Sequence, residues 1–156
     1  MPRKLSMTRV LFVCLGNICR SPLGEGILRR LASERSVLIE VDSAGTGDYH
    51  IGELPDPRAQ KVGREHGCDM SMRARQFCSL DFDDCDLIVV MDRANLRDVL
   101  RWQGAIQDKV HLASEYIPNA IREDVPDPYY GSLMDFEAVA AMLESACSGI
   151  LDQIET

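Results

Sequence analysis

The strongest constraint on the fold is a series of short apolar runs that alternate with helical patterns. The runs are mostly continuous, which is typical of strands buried on both faces of a parallel sheet. They cover Arg9–Cys14, Val37–Gly45 (the most alternating of them), Asp86–Asp92 and, more weakly, Lys109–Ser114. Helical stretches follow them, one from Leu23 onward and others over Asp56–Gly67, Arg93–Gly104 and Leu133–Ile154. We therefore predict an α/β fold with a small, about four-stranded parallel sheet and helices on both faces.

Size and charge narrow the function classes. A chain of 156 residues can bury one full core, so we expect a single domain over residues 1–156 with a flexible tail over residues 1–7. The net charge of −8 argues against binding to nucleic acid or to an anionic membrane surface. No segment is long enough to span a bilayer, and the N-terminal apolar run is interrupted too early for a secretory signal. We expect a cytoplasmic protein without membrane insertion.

The six cysteines predict free thiols in a reducing compartment, because their spacing suggests no disulfide framework. Zinc is a weak alternative, since the pair Cys14 and Cys19 has no second pair at zinc-ligand spacing. The sequence has no Walker phosphate loop and no nucleophile-elbow serine motif. We expect neither a metal nor a cofactor.

The segment "CLGNICRS", from Cys14 to Ser21, is the main candidate site. Ligands of open α/β sheets bind beyond the carboxyl ends of strands, and the first predicted strand ends at Cys14. Ser21 suits a helix N-cap and Pro22 the first helical position, so backbone N–H groups of the loop point above Cys14. A helix N-terminus and the Arg20 guanidinium both bind phosphate and both stabilise a thiolate. The pattern predicts a cysteine nucleophile beneath bound phosphate.

The motif C-x5-R-S in "CLGNICRS" resembles that of the low-molecular-weight protein tyrosine phosphatases. The segment "DPYYG" at Asp127–Gly131 resembles the acid loop of that family. Three further segments, "DSAGT", "PDPRA" and "MDRANLRD", are similar to family segments and stand in the family order. The resemblance covers nearly the whole chain, and the two loops together are highly specific.

The resemblance implies hydrolysis of phosphotyrosine, and of small aryl phosphates, through a phosphocysteine intermediate. It makes Cys14 the nucleophile, Arg20 the phosphoryl binder and Asp127 the general acid and then base. It implies a tyrosine-phosphorylated protein as substrate, with an autophosphorylating tyrosine kinase as one candidate, and phosphate or sulfate as a loop ligand. The residues that it implies around the substrate and its phosphate, including those that hold the loop in shape, are Leu15, Gly16, Asn17, Ile18, Cys19, Ser21, Ser43, Tyr49, Tyr129 and Tyr130.

One departure, one open cysteine role and two alternative functions accompany the resemblance. Met72 stands where animal relatives carry a His that pairs with the residue matching Asp92, so no role is carried over to Asp92. Cys19 is either a packing residue or, as we favour, a partner that traps oxidised Cys14 as a disulfide.

Thioredoxin-linked arsenate reductases share the cysteine loop, and Cys78 and Cys85 resemble their relay pair. Such a reductase has no use for an acid beside an aromatic slot. Protein arginine phosphatases of the same family carry Thr where this chain has Ile18, and an apolar side chain suits an aryl substrate better. Phosphotyrosine is therefore the expected substrate.

Overall fold

The computed structural model describes residues 7–120 and 123–155. Its centre is a four-stranded sheet in the order β2-β1-β3-β4, and every pairing is parallel. The strands are β1 (Thr8–Cys14), β2 (Ile39–Gly45), β3 (Leu87–Val90) and β4 (Val110–Leu112). Each strand end lies within two residues of the corresponding end of a predicted run. The predicted α/β class and parallel sheet are therefore confirmed. The predicted tail over residues 1–7 lies, apart from Met7, outside the described residues.

Five α-helices accompany the sheet in the described residues: α1 (Arg20–Glu34), α2 (Pro57–Glu65), α3 (Leu80–Asp84), α4 (Arg93–Leu100) and α5 (Leu133–Glu155). Four of them match predicted helices, and the short α3 was not predicted. The Asp56 side chain accepts a hydrogen bond from the backbone N–H of Arg58, which confirms Asp56 as the N-cap of α2. In the described part of the chain, no helix is both long and apolar enough to cross a bilayer.

The side chains on the two faces of β1 pack into two separate hydrophobic cores, because successive side chains of a strand point to opposite faces. Val10 and Phe12 pack into a core with residues of α1, α2 and α5. Leu11 and Val13 pack into a second core with residues of α3 and α4. Since both faces are covered by helices, a continuous apolar run is the pattern that this strand requires.

The strand order places the topological switch at β1, which has β2 on one side and β3 on the other. The chain leaves β1 at Cys14 toward the β2 side, whereas the segment after β3 begins at Met91 on the other side. A crevice therefore opens beyond the carboxyl end of β1, the position at which ligands bind in sheets of this type.

Candidate active site

Cys14 is the last residue of β1 and is almost fully buried. Its Sγ lies 3.0 Å from Ser21 Oγ and accepts a hydrogen bond of 3.3 Å from the backbone N–H of Asn17. Hydrogen-bond donors that converge on a sulfur favour its charged form, which is the nucleophilic one. The local geometry thus suits a reactive thiolate at the base of the crevice.

Asn17 orients the donors around that sulfur. Its Oδ1 accepts from the backbone N–H of Arg75 at 3.0 Å, and because that group can only donate, the orientation of the amide is fixed. The Nδ2 group then donates to Ser21 Oγ at 2.8 Å and to Ser43 Oγ at 2.9 Å. Asn17 adopts a φ of 58°, in the left-handed region that Asn tolerates better than most residues.

The Ser21 hydroxyl points toward the sulfur of Cys14. Ser43 Oγ accepts from Asn17 and donates to Glu25 Oε1 at 2.6 Å, so Ser43 has no proton to offer upward. Ser21 also accepts from Asn17, which leaves its own proton for Cys14 Sγ at 3.0 Å or, less favourably, the Ala44 carbonyl at 3.4 Å. The buried chain Glu25–Ser43–Asn17–Ser21 therefore ends in an O–H aimed at the sulfur.

The expectation that Ser21 caps α1 is wrong. The helix begins at Arg20, its N-cap is Cys19, and the cap makes no side-chain hydrogen bond. The Ser21 side chain cannot cap the helix because it is committed to Cys14 and Asn17. The first turn of α1 therefore lacks a side-chain cap, and its serine contacts the candidate nucleophile instead.

Gly45 allows β2 to support the loop directly. A Cβ built at Gly45 would lie 2.7 Å from the Leu15 carbonyl oxygen and 3.2 Å from the Asn17 nitrogen. The first contact is too short for any residue other than glycine. The next residues hold the loop by backbone bonds, from Thr46 N–H to the Cys14 carbonyl and from Gly47 N–H to the Leu15 carbonyl. The glycine in "DSAGT" is thus needed for close backbone approach.

Arg20 is buried and held at one end of its guanidinium. Its Nη1 donates to Asp92 Oδ2 at 2.6 Å and to the Val125 carbonyl at 3.0 Å. Its Nε and Nη2 form no hydrogen bond to the described residues, and Arg20 lines the crevice. The Nε–Nη2 edge is therefore presented for bidentate binding of an anion such as phosphate.

Burial alone would lower the pKa of Arg20, but the facing Cys14 and Asp92 raise it on balance, so the guanidinium stays charged. Asp92 follows β3 at the carboxyl edge of the sheet and also caps α4, where its Oδ1 accepts from the Asn95 backbone N–H. Sequence reasoning assigned Asp92 no role because the family His is Met72 here, and Met72 packs against the core instead. The sequence feature that could have identified Asp92 is its position just after β3, at the carboxyl edge of the sheet.

Asp127 lies above Arg20 in the loop that precedes α5. Its Oδ2 is 3.8 Å from Arg20 Nη2, and its Oδ1 accepts from the Tyr129 backbone N–H at 3.1 Å. The side chain is 44% exposed, so it can exchange protons with solvent and with a ligand in the crevice. The structure thus brings together the three residues that the sequence analysis placed at the centre of catalysis.

The crevice above Cys14 has a volume of about 350 Å³. His50, which was not predicted, lines it together with ten predicted site residues: Cys14, Leu15, Gly16, Ile18, Cys19, Arg20, Tyr49, Asp127, Tyr129 and Tyr130. Asn17, Ser21 and Ser43 are buried beneath it. Tyr130 is 96% exposed and Tyr49 is 69% exposed, so the two rings are free to close on a flat ligand at the rim.

Cys19 is buried, and burial, with the nearby Cys14, raises the pKa of its thiol. Cys78 and Cys85 line a different cleft, together with Arg9 and Val10 near the start of β1. Asp86 N–H bonds to the Arg9 carbonyl, which sets Cys85 about six strand residues, or roughly 20 Å, from Cys14. Burial also raises the pKa of Cys85 to about 12. The described residues contain no cluster of His, Cys, Asp or Glu side chains suited to a metal ion.

Comparison with known proteins gives a consistent result. The sequence model of the family described as "Low molecular weight phosphotyrosine protein phosphatase" matches residues 9–156. A relative from Streptomyces coelicolor, named low molecular weight protein-tyrosine-phosphatase, is 43% identical over 149 residues, which are 92% of this chain and 91% of the relative.

Solved structures give the same answer for the fold. A protein tyrosine phosphatase from Entamoeba histolytica, with Hepes in its active site, aligns with a TM-score of 0.90 at 35% identity, over 95% of this chain and 97% of that one. A structure described as the YwlE arginine phosphatase aligns with a TM-score of 0.88 at 24% identity, over 96% and 97% of the two chains, so the fold is shared between substrate classes. With the match to residues 9–156, these similarities establish that the chain belongs to the low-molecular-weight phosphotyrosine protein phosphatase family.

Proposed function

We propose that the chain hydrolyses phosphotyrosine in proteins, and small aryl phosphates, by two-step transfer of the phosphoryl group through Cys14. The observation that carries the proposal is the convergence of Cys14 Sγ, the bidentate edge of Arg20 and the Asp127 carboxyl on one crevice. A nucleophile, an anion binder and a proton donor are the three groups that cleavage of a phosphate monoester requires.

In the first step, the Cys14 thiolate attacks phosphorus and the bond from phosphorus to the phenolic oxygen breaks. Arg20 and the backbone N–H groups of the loop bind the phosphoryl oxygens, where charge is concentrated in the transition state. Asp127 donates a proton to the departing oxygen, because a phenolate with a pKa near 10 is a poor leaving group at neutral pH. The products are tyrosine and a phosphocysteine.

In the second step, water attacks the phosphocysteine. Asp127, now a carboxylate, accepts a proton from the water, and the phosphorus–sulfur bond breaks to release phosphate. The Ser21 hydroxyl, 3.0 Å from Sγ, stabilises the thiolate as it leaves. The cycle ends with the same charges with which it began.

An aryl substrate is favoured by the walls of the crevice. Ile18 gives the loop an apolar side chain, whereas a phosphoarginine guanidinium needs hydrogen-bond acceptors, which an alkyl group lacks. The aromatic rings of Tyr49, Tyr129 and Tyr130 can contact the face of a phenyl ring. The arsenate reductase alternative is not favoured, because Cys85 is buried and distant from Cys14. We therefore propose a tyrosine-phosphorylated protein as the physiological substrate, and an autophosphorylating tyrosine kinase is one candidate.

Dependence on the leaving group tests the role of Asp127. In Asp127→Ala, we expect a loss of roughly 10²–10⁴-fold in kcat/KM on phenyl phosphate, the usual range for general acid catalysis. The quantity compared is kcat/KM because it reports phosphoryl transfer to Cys14 and does not include hydrolysis of the phosphocysteine, which is the same for both substrates. Much less should be lost on p-nitrophenyl phosphate, because nitrophenolate leaves without a proton. Equal losses on both substrates would show that the acid lies elsewhere.

Asp124→Ala is the matched control, since Asp124 lies in the same loop but its carboxylate bonds to Arg93. It should preserve the wild-type ratio of the two rates. Cys14→Ser should abolish turnover while phosphate still binds, because Arg20 and the loop amides remain. Turnover at the wild-type rate in Cys14→Ser would overturn the proposal.

A further inference from the structure

We propose that Arg58 is a positioning residue that anchors the loop carrying Asp127 to the loop carrying Cys14. This inference rests on the proposed function, because it assigns Arg58 an effect on catalysis that is exerted through Asp127. Arg58 belongs to the first turn of α2 and does not line the crevice. Its side chain nevertheless reaches the backbone of the Asp127 loop.

Four of the five N–H groups of a guanidinium are used in this anchor. Arg58 Nη2 donates to the Tyr129 carbonyl at 2.9 Å, and Nη1 donates to the Gly131 carbonyl at 3.0 Å. On the other side, Nε and Nη2 bind the two oxygens of Asp56 at 3.0 and 2.9 Å. The planar fork therefore joins two carbonyls of one segment to a carboxylate of another.

Asp56 is itself fixed to the Cys14 loop. Its backbone N–H donates to the Ile18 carbonyl at 2.8 Å, and its side chain caps α2. The bonds from Arg58 lower the pKa of Asp56, so the carboxylate remains charged and keeps its grip on the guanidinium. A continuous path of hydrogen bonds thus runs from Ile18 through Asp56 and Arg58 to Tyr129 and Gly131.

Ring contacts fix the guanidinium from its sides. The Cζ of Arg58 lies 4.6 Å from the ring centroid of buried Phe136 and 5.8 Å from that of Tyr129. Phe136 lies in the first turn of α5, directly after the loop. These distances are within the range of attractive cation–π contacts, so the fork is restrained by packing as well as by hydrogen bonds.

The segment 126–131 has few other attachments. Val125 before it is fixed by backbone bonding to Met91, and Ser132 after it bonds to Asp135 in α5. Between these points, the described residues supply no other hydrogen bond from this backbone to a different element. The bond between Gly131 and Pro128 is internal to the loop. The hydrogen bonds from Arg58 to this segment therefore position Asp127 relative to Cys14.

A double-mutant cycle tests the proposal. Arg58→Gln should lower kcat/KM on phenyl phosphate by roughly tenfold, through kcat with little change in KM. The loss in kcat/KM on p-nitrophenyl phosphate should be smaller, because a misplaced acid matters most for a poor leaving group. In the Asp127→Ala background, the same substitution should cause no further loss, since residues that act through one another are not additive. Amide hydrogen exchange in the segment 126–132 should be faster in Arg58→Gln.

Arg64→Gln is the matched control, because Arg64 lies on the same helix and its side chain bonds to Gln60. It should leave kcat, KM and loop exchange unchanged. A higher KM with unchanged kcat in Arg58→Gln would overturn the proposal and identify a substrate contact instead. Equal losses on both substrates, or a full further loss on top of Asp127→Ala, would also overturn it. If Asp127→Ala itself shows no leaving-group dependence, the proposed function fails first, and that result is separate from any result at Arg58.

Discussion

The pairing of Asp92 with Arg20 supports a sharp prediction, because the carboxylate has two separate functions on its two oxygens. Oδ2 accepts from Arg20 Nη1 at 2.6 Å, and Oδ1 accepts from the Asn95 backbone N–H at 2.7 Å to cap α4. An amide has one acceptor oxygen in place of two. In Asp92→Asn, the side chain can therefore cap the helix or accept from Arg20, but it cannot do both.

The expected loss in the free energy of unfolding depends on how deeply the Arg20–Asp92 pair is buried. Removing one partner of a buried ion pair costs about 3–5 kcal/mol in the free energy of unfolding. The Arg20 side chain is 3% exposed and that of Asp92 is 20% exposed, and the Val125 carbonyl still binds Nη1. We therefore expect Asp92→Asn to cost about 2–3 kcal/mol. Asp92→Ala loses the cap in addition and should cost about 1 kcal/mol more.

Urea unfolding at pH 7 measures both variants, with Asp98→Asn as the control, since Asp98 is a partly exposed residue of the same helix whose carboxylate pairs with the exposed Arg97 and Arg101. The control should stay within about 0.5 kcal/mol of wild type. Saturating inorganic phosphate should recover part of the loss in Asp92→Asn, because a bound anion compensates the charge of Arg20. An Asp92→Asn protein as stable as wild type would refute the argument that this pair holds Arg20 in place.

Three further predictions concern the substrate, the other cysteines and pH. Ile18→Thr should raise phosphoarginine hydrolysis relative to phosphotyrosine hydrolysis by up to roughly tenfold, and an unchanged ratio would remove the argument from Ile18. The double variant Cys78→Ser, Cys85→Ser should keep near-normal aryl phosphatase activity, and the native chain should reduce no arsenate; robust thioredoxin-coupled arsenate turnover would contradict this. Burial lowers the pKa of His66, but its contacts with Glu137 and Glu144 raise that pKa on balance. The charged His66 therefore contributes fully to stability below about pH 6.5, the pKa of an unfolded His, and the contribution is lost as pH rises through the raised folded pKa. The difference in unfolding free energy between wild type and His66→Gln should thus be larger at pH 5.5 than at pH 8.5, and a difference independent of pH would show that His66 acts by packing alone.

The sequence was sufficient to predict the sheet because each strand carries its own pattern. The β1 run is buried on both faces, and its apolar residues alternate between two cores, which produces the continuous pattern that predicts a parallel strand. The candidate nucleophile and its phosphate-binding loop were also predictable, since Cys14 and Arg20 belong to one short motif. Asp127 required the resemblance to a family, because a lone "DP" dipeptide also occurs at Asp56, where it starts a helix.

The supporting residues could not be predicted in the same way. Asp92 bonds to Arg20 across 72 positions, and Arg58 bonds to Tyr129 across 71, so no local pattern marks either pair. The Ser21 error has a similar cause. Its position before Pro22 is typical of a cap, but the hydroxyl is drawn to Cys14 by an amide whose orientation is fixed by the backbone of Arg75. Long-range hydrogen bonds decide the roles of these side chains.

The distribution of burial in the site matches the demands of the proposed chemistry. The polar chain beneath Cys14 is buried and each member has partners, and a satisfied buried network is rigid because any rearrangement would leave a polar group unpaired. Rigidity there holds the sulfur and the phosphate-binding amides in place before the substrate arrives, so little ordering remains to be done in the transition state. Asp127 must instead contact a leaving group that enters and departs, and its loop is exposed. Arg58 supplies the hydrogen bonds that join the described backbone of residues 126–131 to another element. In the proposed mechanism, a rigidly held nucleophile and an acid on a less firmly attached loop let a phosphorylated protein enter without displacing Cys14 and Arg20.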